Sequence, residues 1–212
     1  MTKKTGPYVT LIILFILINL VGCSNPMNER QRVDQSKLQQ SEVGNKDIEV
    51  FFIEPKTMPD TTYIKVYKEL RVLELYGDNS LIGRFKIALG GSPIGDKNIE
   101  GDSKTPEGEY YICTRNDKSR FTLFLGLSYP NIDDAKRGLE SGVIDEETFR
   151  YVSRAIEENR QPPWNTPLGG AVGIHGKGNS PDWTLGCIAL SDEDIKILWR
   201  YVPLKTKVDI YK

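Results

Sequence analysis

Two residue types that can share a proton stand close together in this sequence. The segment HGKGNSPDWTLGC, from His175 to Cys187, holds the chain's single histidine and one of its three cysteines. A cysteine attacks as its thiolate, and a free thiol titrates near pH ~8.5, so little thiolate exists at neutral pH. A neighbouring imidazole can take the proton, and such a pair suits acyl transfer. Acyl transfer also needs N–H donors aimed at the developing oxyanion. Gly186, just before Cys187, permits a bend that would present the backbone N–H groups of 186 and 187. Gly173 and Gly176 flank His175 and let a ligand pass close to that strand.

Other chemistry is open to the same residues. A zinc site takes three or four ligands. With no second histidine, the set would have to draw on Cys113 or carboxylates such as Asp182, and it is a poor one. A Cys113–Cys187 disulfide is the other alternative, natural in an oxidising compartment. Against it, Cys113 sits in the apolar run YYICTR, where a buried free thiol is the usual state.

The elements that must position this pair are mostly strands. TYIKVYKE, RVLELYG and SLIGRFKIALGG are short runs rich in β-branched and aromatic residues, and the turn signal GDN at 77–79 joins the last two as a hairpin. GEYYICTRN, FTLFLGLSYP, GAVGIHG, CIAL and KVDIYK read as further strands. The period changes between about 131 and 160. There DDAKRGLESG has helical composition, and DEETFRYVSRAIEENR spaces Phe149, Val152 and Ile156 as one helical face. SDEDIKILWRYV opens on a Ser-x-x-Asp cap pattern and predicts a short helix after Cys187. The expected fold class is therefore mainly β, with a helical insertion at about 131–160.

The N-terminus belongs to a different kind of segment. MTKK is basic, Tyr8 to Val21 is apolar and uncharged, and LVGC follows at 20–23. That is the layout of a secretory signal, and the apolar run is short for a spanning helix. Leu-Val-Gly-Cys resembles the bacterial lipobox, which implies cleavage before Cys23 and lipidation of Cys23. Residues 1–22 are then a lipoprotein signal peptide. Residues 23–46 are a polar tether reaching roughly 25–30 Å as a flexible coil, and 47–212 are the folded domain. The expected location is extracytoplasmic, on a membrane through that lipid. At 212 residues and a net charge of −1, the chain suits one folded domain and offers no charge-held nucleic-acid partner.

Three ordered blocks carry a family resemblance: KTPEGEYYI at 104–112, IHG at 174–176 and T-x-G-C-I-x-L at 184–190. Together they resemble the L,D-transpeptidase catalytic family of the YkuD type, over roughly 60–211. The resemblance implies a β-sandwich-like catalytic domain acting on peptidoglycan stem peptides, with no metal and no cofactor. Cys187 would attack a diamino-acid carbonyl in a tetrapeptide stem, with His175 as general base and then acid. D-Ala would leave, and an amine would resolve the thioester. Gly186, Cys187 and Gly176 would supply site backbone, and Thr184, Trp183 and Tyr129 are candidate substrate contacts. Two positions depart from the family pattern. Its histidine before Gly-Cys is Leu185 here, and its polar residue two after the cysteine is Ala189. Arg115, Arg120 or Lys104 could replace the missing contact. The stretch DWTLGCIAL also resembles a branch containing hydrolases, in which water resolves the thioester. A peptidoglycan-binding lipoprotein without turnover is the non-catalytic alternative.

Overall fold

The computed structural model describes residues 48–212, and Ile48–Lys212 form one compact unit. The expected signal peptide, the expected lipidation at Cys23 and the expected tether lie outside the described residues. Within them, no helix is long and apolar enough to cross a membrane.

Nine strands form one sheet in the order β1-β4-β3-β2-β9-β5-β6-β7-β8. They are β1 (Phe51–Phe52), β2 (Thr62–Tyr67), β3 (Val72–Gly77), β4 (Ser80–Lys86), β5 (Gly108–Asn116), β6 (Phe124–Leu127), β7 (Gly173–His175), β8 (Ile188–Ala189) and β9 (Lys207–Tyr211). The expected hairpin at 77–79 joins β3 to β4. Asp78 and Asn79 both take positive φ, 46° and 64°, as a two-residue turn matched to strand twist requires. β2 is interior because the C-terminal β9, the middle strand of the nine, pairs with it in parallel, Ile64 opposite Val208 and Val66 opposite Ile210. All four of these side chains point into the core.

The expected sandwich arises by the sheet curling on itself. Sequence-distant β8 is tied back to the segment just after β4 through bridges Ala88↔Ala189 and Gly90↔Thr184. The enclosed core takes Leu73 and Leu75 from one part of the curl and Leu125, Ile174 and Ile188 from the other. β1 has no counterpart in the sequence reading, since two residues carry no period. The strands around His175 and Cys187 are also shorter than the apolar runs that predict them.

The helical insertion is present as α1 (Ile132–Glu140) and α2 (Glu146–Glu157), followed later by α3 (Asp192–Tyr201). Asn131 and Asp134 cap α1 reciprocally, and Asp145 and Ser191 cap the other two through N–H groups three residues on. Ala135, Ile144, Val152 and Leu168 form a small second core under α1 and α2. α3 instead inserts Ile195, Leu198 and Tyr201 into the main core directly after β8. The nucleophile candidate thus stands on a segment clamped between a sheet bridge and a buried helix.

Candidate active site

β7 and β8 run parallel, with Ile174 opposite Ile188 and His175 opposite Ala189. Cys187 immediately precedes β8, so it falls two positions from His175 on the neighbouring strand. Side chains alternate between faces, and the two residues therefore share one face. Both line a cavity of about 760 Å³. Cys113 and Cys187 are free thiols, which removes the disulfide alternative. Among the described residues no group of three or more His, Cys, Asp or Glu is placed to hold a metal.

The imidazole is buried and fixed in one tautomer. His175 Nδ1 lies 2.7 Å from the Gly176 carbonyl oxygen. A carbonyl can only accept, so Nδ1 carries the proton and Nε2 is left with its lone pair. Phe121 stacks on the ring at 4.5 Å between centroids, and Trp183 meets it edge-on at 5.6 Å. Burial holds His175 below its ordinary pKa of 6.5, with the Gly176 bond acting the other way. It is a neutral base at neutral pH.

The thiol is also neutral. Cys187 Sγ–H donates to the Ala171 carbonyl at 3.6 Å. Burial pushes its pKa up to about 11, opposed by the Gly173 N–H and the charge of Lys97, which favour the thiolate. The sequence reading allowed a resting thiolate–imidazolium pair. The structure holds thiol and imidazole instead, because both are desolvated and neither charge is stabilised enough to form first.

The turn before Cys187 is tied by two threonine hydroxyls. Thr184 Oγ1 donates to the Cys187 carbonyl at 2.7 Å and accepts from the Gly186 N–H at 3.1 Å. Thr105, from the upstream KTPEGEYYI block, donates to the same carbonyl at 3.5 Å and accepts from Gly90 N–H at 3.0 Å. Asp182 pins the loop from the other side. It takes a bidentate pair of bonds from Arg71, 2.8–3.1 Å, and one from Leu89 N–H at 2.8 Å. A bidentate guanidinium–carboxylate pair adds geometry as well as energy.

Four expected contacts change role. The Gly186 N–H is occupied by Thr184, so it is not a free oxyanion donor; the Cys187 N–H meets no acceptor among the described residues. The Gly176 N–H donates to Phe121, and its carbonyl sets the His175 tautomer. Thr184 lines the cavity, but its hydroxyl is committed to the turn. Tyr129 is fully buried beneath the site and donates to the Leu168 carbonyl, so it does not reach a ligand. Trp183 does line the cavity, half-exposed, with Leu185 projecting beside it at 80% exposure. Of the suggested replacement cations, Arg120 lines the cavity, whereas Arg115 packs on Trp199 and bonds its carbonyl.

Lys97 and Phe121 went unnoticed in the sequence. Lys97 is buried in the cavity wall, bonded to Asp102 at 2.8 Å and the Ile99 carbonyl at 2.9 Å. The sequence reading placed Phe121 at the head of the strand run FTLFLGLSYP, but β6 begins only at Phe124, and the contact of Phe121 with His175 depends on the β6–β7 pairing, Phe124 opposite His175.

Gly186 is required by conformation as well as space. Its φ is +136°, and a Cβ there would lie 2.7 Å from the Lys104 carbonyl oxygen. Gly186→Ala should destabilise the protein by about 1–3 kcal/mol and slow alkylation of Cys187, measured by thermal denaturation and by iodoacetamide labelling. Unchanged values in both would show that the turn relaxes without cost.

The family model of the L,D-transpeptidase catalytic domain matches residues 61–210. YafK of Escherichia coli (strain K12), provisionally named an L,D-transpeptidase, is 34% identical over 90 residues, covering 39% of this chain and 36% of its own length. Among solved structures, the helical cell shape determining protein Pgp2 from Campylobacter jejuni superposes with a TM-score of 0.50. It is 23% identical and covers 84% of this chain and 55% of that one. Its K307A mutant gives 0.51 at the same identity and coverage. The chain therefore spans about a third of the curated relative it matches and about half of those solved chains.

Proposed function

The chain belongs to the L,D-transpeptidase catalytic domain family, and from that premise we propose that it is a cysteine acyltransferase of the cell envelope acting on peptidoglycan stem peptides. The observation that supports this most is the placement of the Cys187 thiol and the His175 imidazole, its Nε2 unprotonated, in one cavity. As Sγ approaches the carbonyl of the diamino acid, His175 Nε2 takes the thiol proton. The S–C bond forms, and the oxyanion accepts from the Cys187 N–H. Collapse breaks the C–N bond to D-Ala, and the imidazolium returns its proton to the leaving nitrogen. An amine then attacks the thioester by the reverse sequence and regenerates thiol and imidazole. The Cys23 lipid and the polar tether would hold the domain at a membrane surface, close to this substrate.

The test is intact-protein mass of the full chain after incubation with a disaccharide tetrapeptide. An acyl adduct mapped to Cys187, with release of D-Ala, is expected. Adding an amine acceptor should convert the adduct to a crosslinked product; release of free acid alone would assign hydrolysis. No adduct on a freely titrating Cys187 would overturn the reading and favour a binding role.

A further inference from the structure

The cavity wall is electrically polarised, and the polarity runs across the candidate dyad. Three cations line it: Lys97, Arg120 and Lys177. The charge of Lys97 is already matched by Asp102. Arg120 and Lys177 are exposed and form no ion pair among the described residues. Both stand on the His175 side. The Arg120 guanidinium lies 4.8 Å from the centroid of Phe121, which itself stacks on His175. Lys177 follows His175 by two residues, and its backbone N–H donates to the Asp192 carboxylate. The one acid in the wall, Glu100, lies across the cavity. Its backbone N–H donates to the Pro167 carbonyl and its carboxylate lies against Gly169, on the segment that leads to Ala171, whose carbonyl accepts from the thiol.

Resting on the acyl-transfer reading above, the chemistry orients the substrate in this field. The proton that His175 takes from Cys187 must end on the leaving nitrogen, so the leaving amino acid lies on the His175 side. A C-terminal amino acid carries its carboxylate one carbon from that nitrogen. We propose that Arg120, assisted by Lys177, binds the free carboxylate of the leaving amino acid and so selects stem peptides with an unblocked C-terminus. Glu100 disfavours the reversed orientation, because it would face the same carboxylate across the cavity. Arg120 thereby supplies an anion contact in a site whose position two after the cysteine is Ala189, buried in β8.

The test compares two probes on the full chain: the disaccharide tetrapeptide ending in D-Ala, and the same peptide ending in D-alaninamide. Wild type should acylate about 10- to 100-fold more slowly, in kcat/KM, on the amide, the range expected for losing a charge-assisted contact. The double variant Arg120→Gln with Lys177→Gln should lose that much on the acid and almost nothing on the amide, so the preference disappears. Arg120→Lys alone should keep most of it. Iodoacetamide labelling of Cys187 at an unchanged rate would show that the variant site is intact. A preference that survives in the double variant overturns the proposal, as does a wild type that treats the probes alike. Absence of adduct from either probe in wild type would instead fail the acyl-transfer reading, and the proposal with it.

Discussion

Cys187→Ala should abolish acylation of the stem peptide, with turnover reduced by at least ~10⁴-fold, while the protein stays folded. Removing the nucleophile of a covalent mechanism leaves only binding and oxyanion stabilisation, so losses of about 10⁴–10⁶ are typical. The fold should tolerate the change. The sulfur makes one long bond to the Ala171 carbonyl, whereas the bonds that hold the turn use the Cys187 carbonyl and the Thr184 and Thr105 hydroxyls. Stability should move by no more than about 1 kcal/mol, measured by chemical denaturation beside the mass assay. Cys113 cannot substitute. Its thiol is raised to about 12 by burial and bonds the Leu127 carbonyl. Persistent adduct in Cys187→Ala would place the chemistry elsewhere.

His175→Gln should cost about 10²–10⁴-fold in acylation at neutral pH, the usual contribution of a general base. The pH dependence makes this specific. The free thiol has a pKa of about 11, so at neutral pH almost no thiolate exists without the imidazole. In the variant, hydroxide must make the thiolate, so the rate should rise about tenfold per pH unit and level off only near pH 11. Wild type should already be on its plateau at neutral pH. Its acid limb should fall below pH 6.5, because burial lowers the imidazole pKa and the neutral base persists to lower pH. Stopped-flow acylation across pH would read both profiles. A wild-type rate that climbs in parallel with the variant would remove His175 from proton transfer.

The parts of the site legible in the sequence are those written locally. The dyad candidates stood out because the histidine is unique and because Gly173 and Gly176 sit beside it while Gly186 precedes the cysteine. The hairpin at 77–79 and the Ser191 cap were legible because turn and cap chemistry is confined to a few neighbouring residues, and the two helices of the insertion were legible from composition and 3–4 spacing. Contacts made by closure of the sheet were not. Arg71 and Asp182 are 111 residues apart, yet they meet as a bidentate pair. Phe121 reaches His175 only because β6 pairs with β7. Tyr129 was misplaced for a related reason. It follows β6 in a stretch that is buried throughout, and its hydroxyl is taken by the distant Leu168 carbonyl, a contact that nothing local announces. Oxyanion donors were half legible: glycine marks the bend at 186, but nothing local says that Thr184 will occupy that N–H first.

The curl of the sheet also has a consequence for how one copy of the domain can meet another. An open strand edge displays unpaired N–H and C=O groups on which another chain can build. Here one outer strand, β1, is two residues long. The other, β8, is equally short and is covered by the segment after β4 through Ala88↔Ala189. The long strands β2, β3, β4, β5 and β9 all lie between neighbours. The same bridges that fix Cys187 therefore leave little template for edge-to-edge stacking. That allows the domain to be concentrated without polymerising through its own sheet.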